Sequence, residues 1–143
     1  MSATRDLAIQ LFNETWELID KKDRTDKDNI TMLHKAHASC YLWREEKNPV
    51  NDARGEWQVS RVYSILNEGR LALLHANESL SLCLRNQIAG FDLAFGYEAI
   101  ARSYHTLGDT AHKEEFKQRG LAACAAIEDP EDRAYTLGNF ADL

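Results

Sequence analysis

The chain has 143 residues, 44% hydrophobic and 28% charged, with a formal net charge of −6, the profile of one soluble globular domain rather than two. The acidic balance argues against a nucleic-acid binder, which presents a basic face, and no apolar run approaches the roughly 20 residues of a membrane span. Seven glycines and two prolines are too few for turn-rich β architecture. Cys40, Cys83 and Cys124 are far apart and form no Cys-x-x-Cys, a pattern expected of reduced, mostly buried thiols in a cytoplasmic protein. The N-terminus MSATRDLAIQLF is interrupted by charge and does not read as a signal peptide.

Apolar residues recur at spacings of three and four almost everywhere, which predicts helices. The first is expected over 4–21, with Leu7, Leu11, Thr15 or Trp16, and Leu18 facing inward. The charged run KKDRTDKDN (21–29) breaks it. A second helix over about 27–46 stops before Asn48-Pro49, since proline disfavours helix in the residue before it. Helices over about 52–67 and 69–86 meet at NEG, and NQIAG leads to a fifth helix over about 91–107. Gly108-Asp109 separates this from a sixth over about 110–127. Asp129-Pro130-Glu131-Asp132 supplies a capping acid, a first-turn proline and acids at the positive dipole end, starting a seventh helix that runs to about 141. The short connections imply helical hairpins.

Sliding the chain by 41 residues lays helices three and four over five and six. Ala53 meets Ala94, Gly55 meets Gly96, Arg61 meets Arg102, Tyr63 meets Tyr104, Leu66 meets Leu107, Leu80 meets Leu121 and Cys83 meets Cys124. A helical hairpin repeated at fixed period is the mark of an α-solenoid.

The repeat also carries a family resemblance. Tyr97-x-x-Ile100-Ala101-x-x-Tyr104-x-x-x-Gly108-Asp109 resembles the first helix and turn of the tetratricopeptide repeat, W-x-x-L-G-x-x-Y followed by G-D. Val59-Ser60-x-x-Tyr63-x-x-x-Asn67-Glu68, followed by Ala72, resembles it again. The likeness covers roughly residues 53–128. Its period exceeds the usual length of about 34, Lys113 stands where the second helix normally has alanine, and no proline closes the repeat at the usual place. The stretch FDLAFGYEAIARSYHTLGD is also similar to small bacterial proteins of this class, a resemblance that implies no activity. The expected fold is an all-α superhelix of about three such hairpins (4–46, 52–86, 91–127) in a single domain, with a cap helix over 130–141.

In this family the first helix of each hairpin lines a concave groove. The resemblance then implies a groove stripe of Arg54, Trp57, Arg61, Ser64 and Ile65 in one repeat, and of Phe95, Glu98, Arg102, His105 and Thr106 in the next. Arg54, Trp57, Arg61, Glu98, Arg102 and His105 are the expected contact residues, with the arginines pairing to a partner's carboxylates. The bland reading is that these arginines pair with Glu56, Glu98 or Glu68 and bind nothing.

The line MLHKAHASCYLW (32–43) raises a competing reading. At about 100° per residue, Leu33, Ala36, Cys40 and Trp43 form a core stripe, and Ile30, His34, His37 and Tyr41 a second one. His34 and His37 could share a metal, but Cys40 points about 120° away from His34, so one ion cannot easily take all three. A pocket of His34, His37 and Tyr41 is the alternative site, that of a small-ligand binder, metal binder or enzyme, and simple packing is the preferred account of these residues. No nucleophile elbow, phosphate loop or dinucleotide fingerprint is present. The function expected is therefore non-catalytic, without cofactor or metal: a module binding a peptide or partner protein in an arginine-lined groove. A second copy of the chain is a variant occupant.

Overall fold

The computed structural model describes residues 2–143, and helices follow one another without a strand among them: α1 (Ala3–Asp20), α2 (Asp26–Glu45), α3 (Pro49–Ile65), α4 (Gly69–Arg85), α5 (Gly90–Leu107), α6 (Thr110–Ala125) and α7 (Pro130–Gly138). Side chains at the starts of α1, α2, α3, α6 and α7 satisfy N–H groups that have no partner inside the helix. Thr25 and Asp28 form a reciprocal capping box at α2. The Asn48 side chain accepts from the N–H groups of Val50 and Asn51, and Pro49 takes the first helical position. This is why α3 begins three residues before the expected Asp52: proline breaks a helix from within but starts one well.

The helix ends repeat a second device. Lys47, Asn67, Gln87 and Gly108 adopt positive φ after α2, α3, α4 and α5. The Glu68 N–H donates to the Tyr63 carbonyl at 2.8 Å and the Asp109 N–H to the Tyr104 carbonyl at 2.9 Å, the long-range bond of a Schellman motif. These are matched positions of the 41-residue repeat.

The fold is an α–α superhelix of three hairpins (α1–α2, α3–α4, α5–α6), completed by α7. Each hairpin also packs its first helix against the second helix of the preceding hairpin, and α1, α3, α5 and α7 touch in sequence along one side. Among the described residues the backbones of α2 and α4, and of α4 and α6, do not approach one another, and α2 reaches α4 only through side chains such as His37 and His75. The odd-numbered helices thus form the inner, concave row and the even ones splay apart on the outside.

Small residues allow this close stacking. A Cβ on Gly55 would sit 3.1 Å from the Cys40 Cα, and one on Gly96 would sit 3.2 Å from the Leu80 Cα. The repeated glycine therefore marks where each hairpin's first helix lies against the previous hairpin's second. Ala53, Ala94, Ser60, Ala101, Cys83 and Cys124, all repeat matches, are buried. Serines stitch neighbouring helices: Ser39 Oγ donates to the Ala8 carbonyl, Ser60 Oγ to that of Ala72, and Ser79 Oγ to that of Ala53, at 2.8–2.9 Å.

Two faces differ from expectation. On α1, Leu7 is 45% exposed while Ala8 and Thr15 are buried, because the close approach of α2 at Ser39 admits a small residue. On α2, Met32 is fully buried and joins Ala36 and Cys40 in the core, Trp43 is buried further along, and Leu33 only flanks that core. After α7, which ends at Gly138 rather than near 141, Phe140 turns inward to 2% exposure and fills the space beside Gly120.

Candidate functional site

The inner row of helices leaves a pocket of about 250 Å³ lined by Phe12 and Trp16 from α1, Arg54 and Trp57 from α3, Phe91 and Phe95 from α5 and Tyr135 from α7, among others. The aromatic rings contact one another around it. Trp57 stacks on Phe95 at 5.1 Å between centroids and lies 5.5 Å from Trp16. Phe95 meets Phe91 edge-on at 6.0 Å and Tyr135 at 6.2 Å. Such offset and edge-on pairs are the preferred geometries of aromatic packing. The Arg54 guanidinium spans the rim, bound through two nitrogens to Asp92 at 2.8 and 3.0 Å and lying 5.1 Å over the Phe91 ring. The bond to Asp92 raises the Arg54 pKa above the usual arginine value.

Beneath the pocket lies a buried ionic network. Glu98 has no exposed surface and accepts from the Trp57 indole N–H at 2.8 Å. Its other oxygen faces Arg102 and, at 3.5 Å, Arg61. Arg102 is further held by the Asn139 carbonyl at 3.0 Å and by both oxygens of Asp142 at 2.7 and 2.9 Å. Burial opposes the Arg102 charge, but the bonds to Asp142 and Glu98 outweigh it and keep its pKa above the ordinary value. Burial, reinforced by the neighbouring Arg102, moves the Arg61 pKa the other way.

The expected groove residues therefore divide. Arg54, Trp57, Arg61, Glu98 and Arg102 do come together on the concave side, where each bonds to another group of the chain. Trp57 is only 9% exposed and Glu98 is inaccessible, so neither offers much surface to a partner. Arg54 and Arg102 are already paired with carboxylates of the chain itself. His105 stands exposed on the last turn of α5 with no side-chain hydrogen bond among the described residues. Aromatic rings make up most of the pocket's lining, with Arg54 the arginine at its rim. Phe12, Trp16, Phe91 and Tyr135 were not among the expected contacts. One signal in the sequence could have found Trp16: the 41-residue step carried back from Trp57 lands on it.

The alternative pocket does not assemble. His34 is exposed, and Tyr41 is 60% exposed with its hydroxyl donating to Glu45 at 3.2 Å. His37 contacts the next hairpin instead: its Nε2 lies 2.8 Å from the Tyr63 hydroxyl and its ring meets His75 edge-on at 5.5 Å. Burial, with His75 alongside, lowers the His37 pKa. His37 thus packs on α3 and α4, while His34 and Tyr41 face solvent.

Asp142 gives the network a pH signature. Its hydrogen bonds to Arg102 pull its pKa from an ordinary 3.8 to about 2. Stability from a carboxylate depressed in the folded state is fully present above its unfolded pKa and disappears as pH falls through the folded one. Asp142→Asn should therefore flatten the acid limb of the melting temperature between pH 3.8 and about 2, by a small amount because Asp142 is largely exposed. An acid limb identical in both proteins would show that this pair contributes nothing.

Comparison with protein-family models, with curated proteins and with solved structures finds no match. Among the described residues, no helix is long and apolar enough to cross a membrane.

Proposed function

We propose that the chain is a non-catalytic interaction module that holds a segment of a partner protein by a large apolar anchor in the concave pocket. The observation that supports this most is the convergence of rings from four helices on one open concavity whose charged groups are already paired with one another. Partially exposed aromatic rings on a rigid scaffold are the residue types that dominate binding energy at interfaces. A volume of about 250 Å³ falls below the roughly 300–1,000 Å³ of small-molecule sites, which favours a side-chain anchor over a whole small ligand. The resemblance to tetratricopeptide repeats, whose first helices line the binding groove, supports the same face. A cytoplasmic setting belongs to this reading and suits three cysteines that are buried and free of disulfides.

Panning a random peptide library against the intact protein should enrich sequences with one large apolar or aromatic anchor. Tyr135 is 70% exposed at the pocket rim, so Tyr135→Ala should weaken those peptides about 10-fold, as loss of an interface aromatic typically does, while leaving helicity unchanged. Peptides lacking an anchor, or affinities for the Tyr135→Ala and Phe12→Ala proteins that equal the parent's, would count against the pocket. Light scattering identifies the remaining occupant: a dimer that Tyr135→Ala dissociates would place a second copy of the chain there.

A further inference from the structure

Outside the aromatic pocket, three helices bring together a thiol, two carboxylates and an imidazole. Cys40 Sγ and one oxygen each of Asp52 and Glu56 all lie within 4.8 Å of one another. Cys40 comes from α2, Asp52 and Glu56 from successive turns of α3, and His75 from α4. The Cys40 thiol donates to Glu56 at 3.3 Å, and His75 Nδ1 lies 2.7 Å from the other Glu56 oxygen. The His75 ring is in turn fixed by stacking on Tyr63 at 5.6 Å.

We propose that Cys40, Asp52 and Glu56 form a binding site for one divalent cation of the zinc class. An ion with bonds of about 2.0–2.3 Å sets tetrahedral ligands roughly 3.3–3.8 Å apart, so donors already within 4.8 Å need only side-chain adjustment to reach it. The i, i+4 spacing places both carboxylates on one face of α3. Gly55, between them in sequence, lets the backbone of α2 come close enough to deliver the thiol. Asp52 is half-buried between Glu56 and the charge of Arg44, and its carboxylate makes no hydrogen bond among the described residues, which leaves it free to ligate. A thiolate–carboxylate set selects a borderline-soft metal, since magnesium and calcium prefer oxygen alone. Asp52, partly open to solvent, provides the entry path, and a water completes the fourth position as in open three-ligand zinc sites. His75 acts as a positioning residue: it holds the second Glu56 oxygen and so orients the first, in the way that outer partners fix metal-ligating carboxylates. Binding displaces the Cys40 proton to solvent, because the ligand is the thiolate.

The experiment uses full-length protein purified without an affinity tag, stripped with chelator and titrated with Co²⁺, then Zn²⁺. Co²⁺ should produce a thiolate-to-cobalt charge-transfer band that saturates at one equivalent and is bleached by Zn²⁺. Cys40→Ser should abolish the band. Asp52→Asn should weaken Co²⁺ binding at least 10-fold, and His75→Gln should weaken it about 10- to 100-fold while keeping the band. Asp52→Asn is the decisive variant if Cys40→Ser proves unstable: Asp52 makes no side-chain hydrogen bond in the metal-free protein, so circular dichroism should be unchanged. The absence of a band in the parent protein would overturn the proposal. So would a band that survives Cys40→Ser, or Co²⁺ affinity unaltered in Asp52→Asn. None of these outcomes depends on peptide binding at the aromatic pocket.

Discussion

Glu98→Ala is expected to lower the unfolding free energy by about 3–5 kcal/mol, the usual cost of removing one partner from a buried ion pair. The side chain has no exposed surface and takes the Trp57 indole N–H, Arg61 and Arg102 as its partners. Its loss leaves an indole donor and two arginines, both mostly buried, without their shared acceptor. For a chain of this length the melting temperature should fall on the order of 10 °C. Glu98→Gln keeps an acceptor for Trp57 but no charge for the arginines, and should fall between parent and Ala. A double-mutant cycle with Trp57→Phe, measured by urea denaturation, isolates the indole bond. If Glu98→Ala melts with the parent protein, the network is not a structural element. For the same reason, reversing Arg102 to Glu is a poor probe of partner binding. It places a third acid against Glu98 and Asp142 and tests the fold first.

Gly96→Leu is expected to destabilise by about 1–3 kcal/mol or more, the cost of overpacking a tight helix contact. A Cβ at this position already stands 3.2 Å from the Leu80 Cα and 3.3 Å from its Cδ1, so a longer side chain forces α5 away from α4. Gly96→Ala should be close to neutral, because the gain of about 1 kcal/mol in helix propensity over glycine offsets the tight contact. Equal denaturation midpoints for Leu and Ala variants would show that α4 and α5 separate without cost. The equivalent pair at Gly55, which faces the Cys40 backbone, should behave alike, and agreement between the two sites would establish the repeat energetically.

The helices and their hairpin order were legible because period, caps and turn residues all pointed the same way, with Asp129-Pro130 and Gly108 the plainest signals. The repeat pairs Gly55/Gly96 and Cys83/Cys124 proved to be packing positions. What periodicity could not supply was the depth of each face. It treats Leu7 and Ala8 as interchangeable neighbours on a turn, whereas the distance of α2 from α1 admits only the smaller residue. The site was legible as a location and not as chemistry. Arg54 and Arg102 look available in a line of sequence because Asp92 and Asp142, their partners, lie 38 and 40 residues away. The cation cluster was hidden for a related reason. Cys40 was correctly separated from His34, but its company of Asp52, Glu56 and His75 arises only when three helices close.

The bond between Trp57 and Glu98 joins residues 41 positions apart, the same site in consecutive repeats. Arrays of similar units face a particular hazard during folding: a hairpin can dock against the wrong neighbour, or against its counterpart in another molecule. Two identical tryptophans at that site would fit either arrangement. A donor in one unit and a buried acid in the next fit only one, since a misplaced Glu98 would be left in the interior without its proton donor. The dissimilarity works as an address, telling the second hairpin and the third apart at the buried face where they meet.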